Sequence, residues 1–268
     1  AHAVNLVDSE LPADIYMQTA NKVLEFIDKT IREHVSFNGK EWVPAESYEI
    51  EIAKGWLLFG IARDCTKKPT MVIPYGGTKI GCRDTCRDYL EKFTKKKVEV
   101  NPDYVNPFVG LETYGKSLDN KTGETVMMKS DPEIQAITWL HHLVWLALDE
   151  VVIAARKAMK FLRQTMSAIK GAYQDGTCIS ITATTGFRVY MDIKKTELYR
   201  FESNLEGRIQ LARQRDIEEI DKRKMNTSIA PNFVHMLDAS HLQMVVNMGK
   251  IMGIDDWACI HDSDGTHA

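Results

Sequence analysis

Four residues carry the spacing most suggestive of chemistry: Arg63, Lys67, Met71 and Tyr75 recur every four positions and run into Gly76 and Gly77. On an unbroken helix that spacing puts both cations and the phenol on one face. A guanidinium fork beside a flexible ammonium suits a polyphosphate. The same residues also describe a solvated basic turn followed by a helix end at Gly76 and Gly77, and spacing alone leaves both readings open. A second stretch, Ala258 to Thr266, reads ACIHDSDGT, a short apolar run broken by a carboxylate. A tight hairpin there would project Asp262 from its turn, although one aspartate in a turn is also ordinary turn chemistry.

The elements that must position these residues can be read outward from them. Asp8 or Ser9 ahead of Pro12 marks a helix start, and apolar residues from Ile15 to Ile31 at helical spacing extend that helix to about Glu33. Phe37-Asn38-Gly39 is a turn signal. Tyr48 to Ile61 reads as an amphipathic helix directly ahead of Arg63. Thr78 to Lys97 is helical again and ends on Lys95-Lys96-Lys97, either a solvated helix end or a nucleic-acid contact. Residues 101–130 are rich in Pro, Gly, Asn and Asp and read as a long loop or insertion.

Ser130 or Asp131 before Pro132 then opens a periodic stretch from Glu133 to Tyr173, long enough for two helices. His141 and His142 sit on it beside Trp139 and Trp145; lacking a matching third ligand, they read as a packed or surface pair and not as a metal site. Thr177 to Ala183 and Phe187 to Met191 flank Thr185-Gly186 as a hairpin. From there to Lys224 the chain reads as helical. Asn226 to Ala230 reads as a loop, Leu237 to Met252 as an amphipathic helix, and Trp257 to Ile260 as a short strand.

Composition bounds the partners. Of 268 residues, 34 are Lys or Arg and 37 are Asp or Glu, giving a net charge of −3, so any polyanion site must be local. Local basic clusters exist at Lys194-Lys195, Arg213, Arg215 and Lys222-Arg223-Lys224, each by default a solvated surface. A hydrophobic fraction of 44% supports a substantial core. Five irregularly spaced cysteines argue against a disulfide framework and for a reducing, cytoplasmic location. Cys82 and Cys86 could share a helix face toward a metal, but without a second ligand pair they read as core thiols. No apolar run reaches membrane-spanning length, so no membrane partner is expected.

Four stretches taken in order resemble the single-subunit DNA-dependent RNA polymerases of phages and mitochondria. AVNLVDSELPADIY at the start, the Arg63, Lys67 and Tyr75-Gly76 spacing, TTGFRVY at 184–190, and IAPNFVHMLDASHL with IHDSDGTHA near the end carry the likeness. The resemblance implies an α+β, predominantly helical, right-hand polymerase fold. Residues 1–235 would form the fingers, with the fingers motif at 63–77 and an insertion near 101–130, and residues 236–268 part of the palm.

The implied activity is DNA-templated RNA synthesis with two Mg²⁺ ions. Asp262 matches one catalytic aspartate, a metal ligand. Arg63 and Lys67 match the grip on the incoming triphosphate, and Lys67 also serves the leaving pyrophosphate. Tyr75 matches the residue beneath the incoming sugar and His235 the one that recognises the ribose 2′-hydroxyl, while Gly76 and Gly77 would let the template backbone approach. The implied partners are template DNA, nascent RNA and ribonucleoside triphosphates. The family's other catalytic aspartate is expected outside this sequence, on a second polymerase chain or the remainder of a longer polypeptide, so this chain alone is expected to be inactive.

Three departures from the pattern matter. Asp264 is acidic where the family carries an aromatic or apolar residue. Pro69 and Pro74 fall within the expected fingers helix, where an interior proline costs about 3 kcal/mol unless the helix kinks or restarts. The third is the absent aspartate, which supports a rival reading of a non-catalytic nucleic-acid-binding or scaffolding piece. A family A-like DNA polymerase is the other rival, disfavoured by Ser263 after Asp262, by Met71, and by NFVHMLDASH.

Overall fold

A computed structural model describes residues 13–118, 125–172, 179–203, 207, 209–260 and 263–266. The described residues form helices and five separate two-stranded antiparallel hairpins, an α+β arrangement with helix predominating. The chain divides into two compact units, Ala1–Ile73 with Gly77–Arg156, and Pro74–Gly76 with Lys157–Ala268.

The first unit opens with α1 (Ile15–Glu33), whose N-cap is Asp14; its carboxylate accepts from the Tyr16 and Met17 amides. The helix thus starts at Ile15, after Pro12, because Asp14 supplies the side-chain acceptor that frayed amides need. His34 at its end adopts a left-handed conformation, and β1 (Val35–Phe37) pairs with β2 (Trp42–Pro44) around the Phe37-Asn38-Gly39 turn. Next come α2 (Ser47–Phe59), α3 (Arg63–Val72) and α4 (Lys79–Val100).

The stretch 101–130, expected as a loop, instead contains β3 (Thr113–Leu118) paired with β4 (Thr125–Ser130). Its leading segment is also anchored: Phe108 is fully buried, 4.8 Å from the Trp56 ring centroid, and a Cβ on Gly55 would stand only 2.7 Å from the Phe108 ring.

Helix α5 (Pro132–Val151) is the axis of this unit. Asp131 caps it, accepting from the Glu133 and Ile134 amides, with Pro132 in the first turn. Leu140, Leu143, Val144, Ala147 and Leu148 have no exposed surface. Each fully buried leucine there contributes about 2 kcal/mol of apolar burial. Both indole N–H groups drawn inside find acceptors: Trp56 Nε1 donates to the Ala136 carbonyl at 3.1 Å, and Trp139 Nε1 donates to Ser36 Oγ at 3.0 Å, which in turn donates to Glu49 Oε1 at 2.7 Å. Cys65, Cys82 and Cys86 are buried free thiols in this core, as expected for Cys82 and Cys86; the sulfurs of Cys65 and Cys82 beside Cys86, together with burial, hold its thiol well above the usual range.

α6 (Ile153–Ala172) leads into the second unit, where Leu162, Met166 and Ile169 pack with Ile179, Met191, Met225 and Ile229 in a smaller core. The hairpin expected around Thr185-Gly186 is present as β5 (Ile179–Thr182) and β6 (Arg188–Met191), with Gly186 at φ 91°. The residues after it are not helical. β7 (Lys194–Ser203) and β8 (Ile209–Ile220) form a long antiparallel ribbon in which Tyr199 faces Arg213 and Phe201 faces Leu211.

Helix α7 (Lys222–Ile251) is capped by Asp221 and runs straight through the expected 226–230 loop and through Pro231. Burial of Met225, Ile229, Ala230 and Met236 on both sides of the proline holds the helix together there. β9 (Trp257–Ile260) then pairs with β10 (Ser263–Thr266), Ser263 opposite Ile260 and Asp264 opposite Cys259. Among the described residues no single helix is long and apolar enough to cross a membrane.

Candidate functional site

α3 carries the cations. It persists through Pro69 and ends at Val72, short of Pro74, so only Arg63, Lys67 and Met71 share the helix; Tyr75 falls in the turn beyond it. The helix survives its proline because Cys65, Thr66, Pro69 and Thr70 are buried, with Thr66 Oγ1 donating to the Tyr16 carbonyl at 2.6 Å. Its end is closed by the Gly77 amide donating to the Val72 carbonyl at 2.8 Å. A Cβ on Gly77 would stand 2.9 Å from that carbonyl oxygen, so closing this turn is sufficient reason for the glycine.

The two cations differ in circumstance. Arg63 Nε donates to Asp14 Oδ2 at 2.6 Å, and its guanidinium lies 4.7 Å from the centre of the Tyr16 ring. That hydrogen bond holds the Asp14 carboxyl below the usual aspartate range. Asp14 therefore caps α1 and neutralises Arg63 with one carboxylate, a link that sequence reading missed. Lys67 is exposed and has no ion-pair partner among the described residues. It lines a cleft of about 370 Å³ between α3 and α4 with Lys68, Met71, Asp88, Lys92 and Phe93. Lys68 is paired to Asp88 at 3.1 Å, which leaves Lys67 and Lys92 as the cations available to an anion in that cleft.

Tyr75, Gly76 and His235 belong to the second unit, and there the structure brings them together. The Tyr75 and His235 rings meet edge to face, centroids 5.2 Å apart at 65°. His235 is exposed and Tyr75 retains 41% of its surface, so the pair presents two polar ring edges to solvent. Gly76 has φ 83°, and a Cβ there would lie 3.7 Å from the Thr227 carbonyl oxygen and 3.9 Å from Pro231 Cδ. Thr227, Pro231 and His235 are spaced by four along α7 and so form one face, against which the Tyr75-Gly76 turn rests. Pro231 has no N–H to return to the Thr227 carbonyl, so that carbonyl loses its helical donor beside Gly76.

Asp262 lies outside the described residues. Among the described residues no group of three or more His, Cys, Asp or Glu could hold a metal ion, so they provide no Mg²⁺ site by themselves. The His141 and His142 rings lie tilted against each other with centroids 4.2 Å apart, in keeping with the packed alternative of their reading; burial pushes both down to about 4.

The basic clusters divide. Lys194 pairs with Glu218 at 3.0 Å and Lys195 pairs with Glu219, so both are largely neutralised across the β7–β8 ribbon. Arg213 and Arg215 alternate onto the face that carries Tyr199 and Phe201, whose rings stack with centroids 6.1 Å apart. Exposed aromatic rings flanked by guanidinium groups can stack on bases and contact phosphates.

The matched family identifies the class. Residues 1–268 match the family described as DNA-dependent RNA polymerase, and the chain belongs to that family. It is 29% identical to the DNA-directed RNA polymerase of Enterobacteria phage K11, over 98% of this chain and 29% of that protein, and 29% identical to the T7 RNA polymerase of Escherichia phage T7 over the same shares. With the DNA-directed RNA polymerase 2A of Nicotiana tabacum it is 26% identical, over 100% of this chain and 66% of that protein. The chain thus spans 29% of the length of the phage relatives.

Proposed function

We propose that this chain carries fingers and part of the palm of a DNA-templated RNA polymerase, with residues 1–235 in the fingers and 236–268 in the palm. In the reaction the RNA 3′-oxygen attacks the α-phosphorus of a ribonucleoside triphosphate, the bond to the bridging oxygen breaks, and pyrophosphate leaves. The observation that carries this reading is the Tyr75–His235 contact, which joins the two residues whose family positions read the sugar. A scaffold would have no use for such a pair.

Each residue then has a task its surroundings support. Lys67, exposed and without an ion-pair partner among the described residues, binds the triphosphate and neutralises charge on the departing pyrophosphate. Arg63 assists after exchanging Asp14 for phosphate. The phenol of Tyr75 and the imidazole of His235 accept or donate to the ribose 2′-hydroxyl, a contact that a deoxyribose does not offer. Gly76, without a Cβ, lets the template pass close to the turn. Asp262 contributes a carboxylate to Mg²⁺, which when bound supplies electrostatic stabilisation of the phosphoryl oxygens; a second carboxylate comes from polymerase sequence outside these 268 residues, on a further chain or a longer polypeptide.

Arg213 and Arg215 on the ribbon contact nucleic-acid phosphates, making template binding weaken with salt. Primer extension tests the reading. The polymerase assembled around this chain should lengthen RNA on a DNA template from ribonucleotides, and loss of that extension in Asp262→Ala is required.

A further inference from the structure

Arg163 is a cation that the site described so far does not use. It projects from α6 and is half-buried, and its Nε is sealed from solvent with no hydrogen-bond acceptor. Among the described residues it has no carboxylate partner. Its Nη2 lies 3.3 Å from the position a Cβ on Gly76 would occupy, the same position that faces the Thr227 carbonyl oxygen at 3.7 Å. The guanidinium therefore borders the Tyr75-Gly76 turn from α6 while α7 borders it through Thr227, Pro231 and His235.

We propose that Arg163 is a phosphate-binding residue of this site, holding a phosphate that lies over Gly76. Four features support it together. A half-buried guanidinium whose Nε is sealed from solvent without an acceptor is costly, so its retention calls for an anionic partner. Buried donors in native proteins are paired, and an orphan Nε on a guanidinium is oriented by whatever anion its outer nitrogens bind. Gly76 leaves open the volume that any side chain would fill, and its neighbours Tyr75 and His235 present polar edges to the same surroundings. Finally, α6 packs against α7 through Met166, Met225 and Ile229 and a Ser167–Asn226 hydrogen bond of 3.0 Å, so Arg163 stands on a packed surface.

The phosphate has two sources within the reading above, on which this inference rests: the template backbone and the incoming nucleotide. Arg163→Gln in the assembled polymerase separates them. If the template supplies it, template affinity falls several-fold, the slope of log affinity against log salt drops by about one, and KM for ribonucleotides stays put. If the nucleotide supplies it, KM rises about tenfold with template affinity unchanged. Either result supports the proposal; unchanged values for both overturn it, including when only the melting temperature falls.

Should Arg163→Gln fail to fold, Arg163→Lys answers the question. Charge without the fork should keep the salt slope and weaken one of the two affinities about threefold, and no weakening overturns the proposal. Asp262→Ala run in parallel keeps the layers apart. Extension surviving in Asp262→Ala removes the polymerase reading itself, whereas a dead Asp262→Ala with an unaffected Arg163→Gln removes only the Arg163 assignment.

Discussion

Tyr75 and His235, separated by 160 positions in the sequence, meet edge to face with ring centroids 5.2 Å apart. One stands in the turn that ends the cation-bearing helix segment, and the other on α7 one turn beyond Pro231. Their meeting depends on two local events: the stop of α3 at Val72, which frees Tyr75 from the helix face, and the persistence of α7 through Pro231, which keeps His235 in line with Thr227.

Tyr75→Phe keeps the ring and so the edge contact, removing only the hydroxyl. Loss of one polar contact to a 2′-hydroxyl is worth about 1–3 kcal/mol, so preference for ribonucleotides over deoxyribonucleotides should fall by a factor between about five and 150. Competitive incorporation of the two substrates measures this, and an unaltered preference removes the role given to the phenol.

Asp14→Ser separates two duties of one side chain. Serine retains an N-cap oxygen for α1, while Arg63 loses its counter-ion. The pair is partly exposed, 43% and 37% for the two side chains, so stability should change by no more than about 1 kcal/mol. Arg63 then engages triphosphate without displacing Asp14, so KM for ribonucleotides should fall a few-fold at low salt. A rise in KM would show that Asp14 orients Arg63 for binding instead of competing for it.

Much of this arrangement is legible in the sequence. Helices α1, α2, α4, α5 and α6 follow from helical patterning with Asp131-Pro132 as a start signal for α5, β5–β6 follow from alternation, and β9 from a short apolar run. The failures have physical causes. Glu197-Leu198-Tyr199-Arg200-Phe201 contains good helix formers, but as a strand it places Tyr199 and Phe201 on one face; cross-strand pairing with 209–216 then outweighs local propensity. Asn226 to Ala230, just ahead of Pro231, reads as a loop, yet buried Met225, Ile229 and Met236 hold α7 through it.

Within the site, the four-residue stripe holds for three of its members. Arg63, Lys67 and Met71 do share α3, but Tyr75 reaches His235 only because it leaves that helix. Arg163 carried no sequence signal: one arginine in a basic amphipathic helix looks solvated until burial and the missing acceptor are seen. The link from Asp14 to Arg63 was hidden similarly, since it spans 49 positions.

The His141–His142 pair sets a pH response. Burial, the neighbouring ring and the cations Lys79 and Arg83 bring His141 from the ordinary 6.5 down to about 4, and burial with Lys79 does the same to His142. The unfolded chain therefore takes up protons below about pH 6.5 that the folded chain refuses until about pH 4, so stability falls as pH drops through that window and is unaffected by these groups above it. Urea midpoints between pH 7 and 5, above most carboxylate titration, should decline. His141→Leu should flatten the decline, and an equal slope in that variant would count against the pair as its source.

The most direct test of the central claim is RNA primer extension on a DNA template in Mg²⁺ by the polymerase assembled around this chain, comparing Asp262→Ala with Asp264→Ala. Asp264 pairs in register with Cys259 on the β9–β10 hairpin and is given no catalytic task. Extension should fall to background for Asp262→Ala and remain substantial for Asp264→Ala. Undiminished extension by Asp262→Ala would contradict that claim.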